Sequence, residues 1–135
     1  MCSIDGSLRF PCQARYAPRA RAAFEMMLPP AVDADTKWRL LQVVGEAVGM
    51  TIKYSRTKAT YFNIRVRLRR AMLRVDIEND GGAFDPVNQP PEDMRGYGMT
   101  IIAALSESIA FFNDGRMLRI ETRLECETCS SQAAS

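Results

Sequence analysis

Between Phe62 and Glu78 the side chains alternate with a period of two, and nothing else in the chain restricts its fold as tightly. Phe62, Ile64, Val66 and Leu68 fall on one side of an extended segment, and Arg65, Arg67 and Arg69 on the other. Leu73, Val75 and Ile77 continue the apolar row, with Arg74, Asp76 and Glu78 opposite. A short turn near Arg70-Ala71 makes the two runs an antiparallel hairpin. A strand pair with one apolar and one charged face has to bury the apolar face under a second layer. On the charged face the arginine row is expected beside Asp76 and Glu78, where opposite charges across strands contribute ~0.2–1 kcal/mol per pair. Interleaved carboxylates, with no aromatics among them, argue against a direct nucleic-acid surface.

The flanking sequence supplies the remaining elements. Leu8–Cys12 reads as a strand held to a sheet edge by Pro11. Pro18–Leu28 reads as a helix with a first-turn proline and with Ala20, Ala23, Phe24 and Met27 at helical spacing, stopped by Pro29-Pro30. Asp33 or Asp35 caps a longer helix to about Tyr54, with Trp38, Leu41, Val44, Val48 and Ile52 as its apolar stripe. Asp80 to Met94 is rich in glycine and proline and reads as a long loop. Gly96-Tyr97-Gly98 opens a third helix carrying Ile101, Ile102 and Leu105 on one face. Ile109–Phe112 and Met117–Leu124 form a closing hairpin about Asn113-Asp114-Gly115, with Leu118, Ile120, Thr122 and Leu124 inward and Arg119, Glu121 and Arg123 outward. The expected fold is α+β: a two-layer sandwich with a mixed, mostly antiparallel sheet covered on one face by three helices. One domain over 8–125 is expected between flexible tails at 1–7 and 126–135.

Composition narrows the chemistry. The 135 residues are 47% hydrophobic and 25% charged, as in an ordinary globular domain. No apolar run is long enough for a membrane span and no signal peptide is visible, so a cytoplasmic location is the default expectation. Lys plus Arg is 18 against 16 for Asp plus Glu, and the net charge of +2 implies neither a nucleic-acid nor a membrane partner. The chain has no histidine, which removes Ser-His-Asp triads, Cys-His dyads and His-bearing zinc sites. Cys126 and Cys129 have metal or redox spacing, and a zinc site would need Cys2 and Cys12 to join them. Four free thiols is the plainer reading, with Cys12 in an apolar strand and the others in polar ends.

Three local features carry candidate chemistry. Glu46 lies on the long helix among small and apolar residues, where partial desolvation raises a carboxylate's pKa and suits it to act as a general base. Asn79-Asp80-Gly81-Gly82-Ala83-Phe84-Asp85-Pro86 follows a strand directly, a placement suited either to a ligand-facing turn or to a plain one. Arg95-Gly96-Tyr97-Gly98-Met99-Thr100 opens a helix, where backbone N–H groups and the helix dipole favour an anion.

The order and spacing of these segments resemble those of the anti-sigma-factor serine kinases in the GHKL (Bergerat-fold) ATPase superfamily. Glu46-Ala47 matches that family's helix box, Gly81 with Phe84-Asp85-Pro86 its second box, and Arg95-Gly96-Tyr97-Gly98-Met99 its third. The resemblance implies Glu46 as the catalytic base. It implies a nucleotide-binding set of Asn79, Gly81, Ala83, Arg95, Gly96, Gly98, Met99 and Thr100. It also implies a homodimer through Leu8–Cys12 and Pro18–Leu28, with Phe10, Phe24 and Met26 supplying apolar area. The departures alter these expectations. The family's Mg²⁺-holding asparagine falls on Met50, whose thioether cannot replace a hard oxygen ligand. Its histidine falls on Tyr54. Its adenine-binding aspartate falls on Asn79, and a glycine of the second box on Ala83. The expected function is therefore a partner-switching regulator that binds a sigma factor or a STAS-domain antagonist, with ATP binding weakened or lost. The alternative is an active ATP-dependent serine kinase that uses ATP with Mg²⁺, Gln42 or Thr51 standing in as the metal's oxygen ligand.

Overall fold

In a computed structural model of the chain, residues 4–54, 59–81, 108–113 and 116–124 are described. Strand β1 (Ile4–Pro11) leads through a short 3₁₀ turn at Ala14–Tyr16 into α1 (Ala17–Met27) and α2 (Ala34–Tyr54). Strands β2 (Tyr61–Arg69), β3 (Met72–Asn79), β4 (Ser108–Phe112) and β5 (Met117–Arg123) follow. The five strands form one sheet in the order β1-β2-β3-β5-β4. All four pairings are antiparallel. The expected third helix, beginning at Gly96, and the loop beyond Gly81 lie outside the described residues.

The β2–β3 hairpin follows the alternation in the sequence. Phe62, Ile64, Val66, Leu68, Leu73, Val75 and Ile77 are all buried. Its turn uses Arg70 and Ala71, both at positive φ (49° and 66°), where asparagine and glycine are the usual residues. The Ala71 carbonyl accepts the Leu124 N–H at 2.7 Å, which ties the turn to the end of β5. Leu118, Ile120 and Leu124 complete the inner face.

The strand expected at Leu8–Cys12 begins earlier. Ile4 to Ser7, anticipated as part of a tail, pair with Leu68 to Arg65 of β2. Two contacts hold this extension: Ile4 packs against the core, and Asp5 accepts from Arg65. At Gly6 a Cβ would meet only Met27 Cε, at 2.9 Å, the flexible tip of an α1 side chain. Cys12 sits just past the strand, its N–H donating to the Thr60 carbonyl at 3.0 Å.

Both helices lie on the inner face, as the apolar residues they share with the strands show. Asp33, not Asp35, caps α2, its Oδ1 accepting the Thr36 N–H at 2.7 Å. That bond is the main reason the Asp33 carboxyl sits below its usual pKa. The buried stripe of α2 runs through Thr36, Leu40, Val43, Val44, Ala47, Val48, Met50 and Thr51. Trp38, expected to open that stripe, is 58% exposed. It stands two residues from both Thr36 and Leu40, roughly 200° around the helix from each. Phe24, expected at a subunit contact, is wholly buried in the core, whereas Met26 is 87% exposed. Among the described residues no helix is long and apolar enough to cross a membrane.

Candidate functional site

The strongest concentration of polar structure lies where β3 ends. Asn79 is inward in register, opposite Phe62, and is buried. A buried amide needs partners for both of its ends. Its Oδ1 accepts the Gly81 N–H at 2.8 Å, and its Nδ2 donates to the Arg116 carbonyl at 3.3 Å. The Asn79 backbone N–H reaches the same carbonyl at 3.0 Å. The two side-chain partners fix the amide's orientation, and a carboxylate here would set an oxygen against the Arg116 carbonyl. Asparagine, the departure seen in the sequence, thus suits this backbone, supplying one acceptor and one donor where both are used.

Asp80, which sequence reasoning left unassigned, is the organiser of the same turn. Its Oδ1 accepts the N–H groups of Thr60 and Tyr61 at 2.8 and 3.0 Å, and its Oδ2 bonds the Thr60 hydroxyl. The Thr60 hydroxyl bond, followed by the Tyr61 N–H, holds the Asp80 carboxyl below the usual range. One exposed carboxylate therefore clamps the start of β2 to the end of β3. The available signal was an aspartate in a turn, which often binds nearby backbone N–H groups, but its targets lie 20 residues upstream. Beside the clamp is an open cavity of about 470 Å³ lined by Tyr61, Glu78, Asn79, Asp80, Asn113 and Arg116.

On α2 the two key positions diverge. Glu46 is half-buried, while Met50, one turn on, belongs to the buried apolar cluster with 6% exposure. Gly49, between them in sequence, is exposed, and a Cβ there would meet nothing within 4 Å. Thr51, the proposed substitute metal ligand, is buried and donates its hydroxyl to the Ala47 carbonyl at 2.9 Å. Gln42 is half-buried. The residue at the expected metal-holding position therefore does not fit a Mg²⁺ ion. Met50 offers a soft sulfur where Mg²⁺ takes hard oxygen ligands.

Of the residues expected at the site, the structure places Glu46 and Met50 on α2 and Asn79 and Gly81 at the end of β3. Ala83, Arg95, Gly96, Gly98, Met99 and Thr100 lie outside the described residues, as do Cys126 and Cys129. Cys12 is half-buried, and burial is the first cause pushing its thiol pKa up, which disfavours the reactive thiolate.

The outer face of the sheet differs from expectation in its pairing. Arg65 does stand opposite Asp76 in register. It bonds instead to Asp5 through two contacts of 3.3 Å. Asp76 is held bidentately by Arg119 of β5 at 2.8 and 3.1 Å. That hydrogen-bonded partnership raises the Arg119 pKa.

No curated protein matches the chain. The sequence model of the histidine kinase-like ATPase domain matches residues 10–122. That span runs from the end of β1 to the end of β5 and includes the α2 helix and the Asn79–Gly81 turn. The chain belongs to the histidine kinase-like ATPase domain family.

Proposed function

We propose that this ATPase-type domain serves as an anti-sigma-factor-like regulator. It binds a sigma factor or a STAS-domain antagonist by protein contact, and its nucleotide binding is weakened or lost. Met50 carries the reading. It occupies the turn after Glu46, where the resemblance calls for a metal-holding asparagine, and its side chain is packed into the apolar core. Phosphoryl transfer relies on positioning and on metal electrostatics, so a base at Glu46 without that metal has little to act on. Thr51 gives no support to the kinase alternative, since its side chain is buried, with the hydroxyl held against the helix by its bond to the Ala47 carbonyl.

The test is thermal melting with and without Mg-ATP, run beside phosphate transfer to candidate STAS domains. A ligand at 100 times its Kd stabilises by ~2.7 kcal/mol, several degrees for a domain of this size. The expected result is no shift at millimolar Mg-ATP and no transfer. A Mg-dependent shift with transfer would establish the kinase instead. Met50→Asn is expected to raise nucleotide affinity while lowering the unliganded melting temperature, because it buries an amide among apolar side chains. Its ligand shift is therefore read against its own unliganded value.

A further inference from the structure

We propose that the open face of the sheet, at the end formed by the β2–β3 hairpin, docks an acidic segment of a partner protein. This surface lies at the opposite end of β3 from Asn79 and is independent of how the nucleotide site is read.

Arg67 and Arg74 stand directly opposite each other in the β2–β3 register. Each also has a carboxylate opposite it on its other side, Asp5 of β1 for Arg67 and Glu121 of β5 for Arg74, so the like-charge contact is offset only by carboxylates that the guanidinium groups share. Arg69 follows on the same side of β2, and Arg70 occupies the turn. The carboxylates within reach are already engaged. Asp5 bonds Arg65 at 3.3 Å and reaches Arg67 only at 4.0 Å. Glu121 takes Arg74 at 3.3 Å. Arg69 makes no ion pair with a carboxylate of the described residues. A recess of about 140 Å³ lies among Arg67, Arg69, Met72, Arg74 and Glu121. It shares Arg67 with a wider groove of about 460 Å³ whose lining includes Arg9, Arg65 and Arg119.

Guanidinium groups match carboxylates bidentately, so an Asp- or Glu-bearing segment laid over Arg67 and Arg69 would relieve the like-charge contact. The remainder of the face favours a protein over a nucleic acid. Glu78 lies further along β3, where a continuous phosphate chain would meet a carboxylate. Two aromatic rings that could stack bases are already covered: Arg9 sits 3.9 Å from the Tyr61 ring centre and Arg119 4.8 Å from that of Phe112. The partner segment is thus acidic where it meets the hairpin and neutral or basic toward Glu78.

The probe is a fluorescein-labelled decaglutamate peptide, titrated with the full chain at low salt by fluorescence anisotropy. Arg67→Ser with Arg69→Ser is expected to weaken binding about tenfold. Arg15→Ser with Arg19→Ser, which removes the same charge from the helical layer, is expected to leave it unchanged. Should the first double variant lose its fold, Arg69→Glu alone at an exposed position gives the same comparison. Three results would overturn the proposal: no peptide binding, an equal loss in both double variants, or tighter binding of a DNA strand of matched charge.

Discussion

The inner and outer faces of the sheet come from alternate residues of the same strands, yet they are held by different physics. The inner face is a continuous apolar surface in which Phe62, Leu68 and Leu73 are fully buried against α1 and α2. Its stability comes from apolar area and close packing, so any loss of volume is felt throughout. The outer face is a set of discrete ion pairs between neighbouring strands, Arg65 to Asp5, Arg74 to Glu121 and Arg119 to Asp76. The first two are exposed enough to contribute little each, and only the third is largely buried. A face with little stake in stability is free to vary its charge, which is what a partner-docking surface needs.

Substitutions separate the two faces, beginning with the largest effect. Phe62→Ala on the inner face is expected to cost ~3–5 kcal/mol in urea unfolding, from lost transfer energy and the cavity left behind. Asp76→Ala is the heaviest change available on the outer face, at about 1–3 kcal/mol, because it strips the partner from Arg119, whose side chain is only 24% exposed. A cost for Asp76→Ala equal to that of Phe62→Ala would erase the distinction. Ala71→Gly is expected to stabilise by ~0.5–1 kcal/mol by relieving the left-handed conformation at the hairpin turn. Gly49→Ala, at an exposed helix position with open space around it, is expected to gain a similar or smaller amount.

The smallest expected effect is on pH dependence. Asp5, Asp33 and Asp80 all have carboxyls below their usual pKa. The unfolded chain then binds protons before the folded one does. The stability contributed is present above the unfolded value of about 3.9 and is lost as pH falls below it, through the folded values. Asp80→Asn is expected to make the acid-side fall in melting temperature shallower but not flat, since Asp5 and Asp33 keep their partners. An unchanged slope would show that the Asp80 clamp contributes nothing in solution.

Much of the fold was legible because it rests on local periodicity. The hairpin from Phe62 to Ile77, the α1 helix with its first-turn proline and the α2 span are all read from neighbours in the chain. The candidate site was legible in position but not in detail. Asn79 and Gly81 could be placed at the end of a strand, whereas the Asp80 clamp joins segments 20 residues apart and has no periodic signature. Trp38 alone of its expected stripe was misassigned: Val44 and Val48 are buried and Leu41 and Ile52 pack against the core, whereas Trp38, at the start of the helix, falls on the solvent side.

By itself the sequence determined which face of each strand is apolar, where the hairpin turns, and that position 50 holds a sulfur rather than an oxygen. Those properties depend on residue type and near-neighbour spacing alone. Only the tertiary structure decided that Asp76 pairs with Arg119 and not Arg65, because the sheet order sets β5 beside β3. It also decided that Asn79 must donate to the Arg116 carbonyl, and that Arg67 must face Arg74. Register and strand order bring together groups far apart in the chain, and no local pattern encodes which of several similar charges will be nearest.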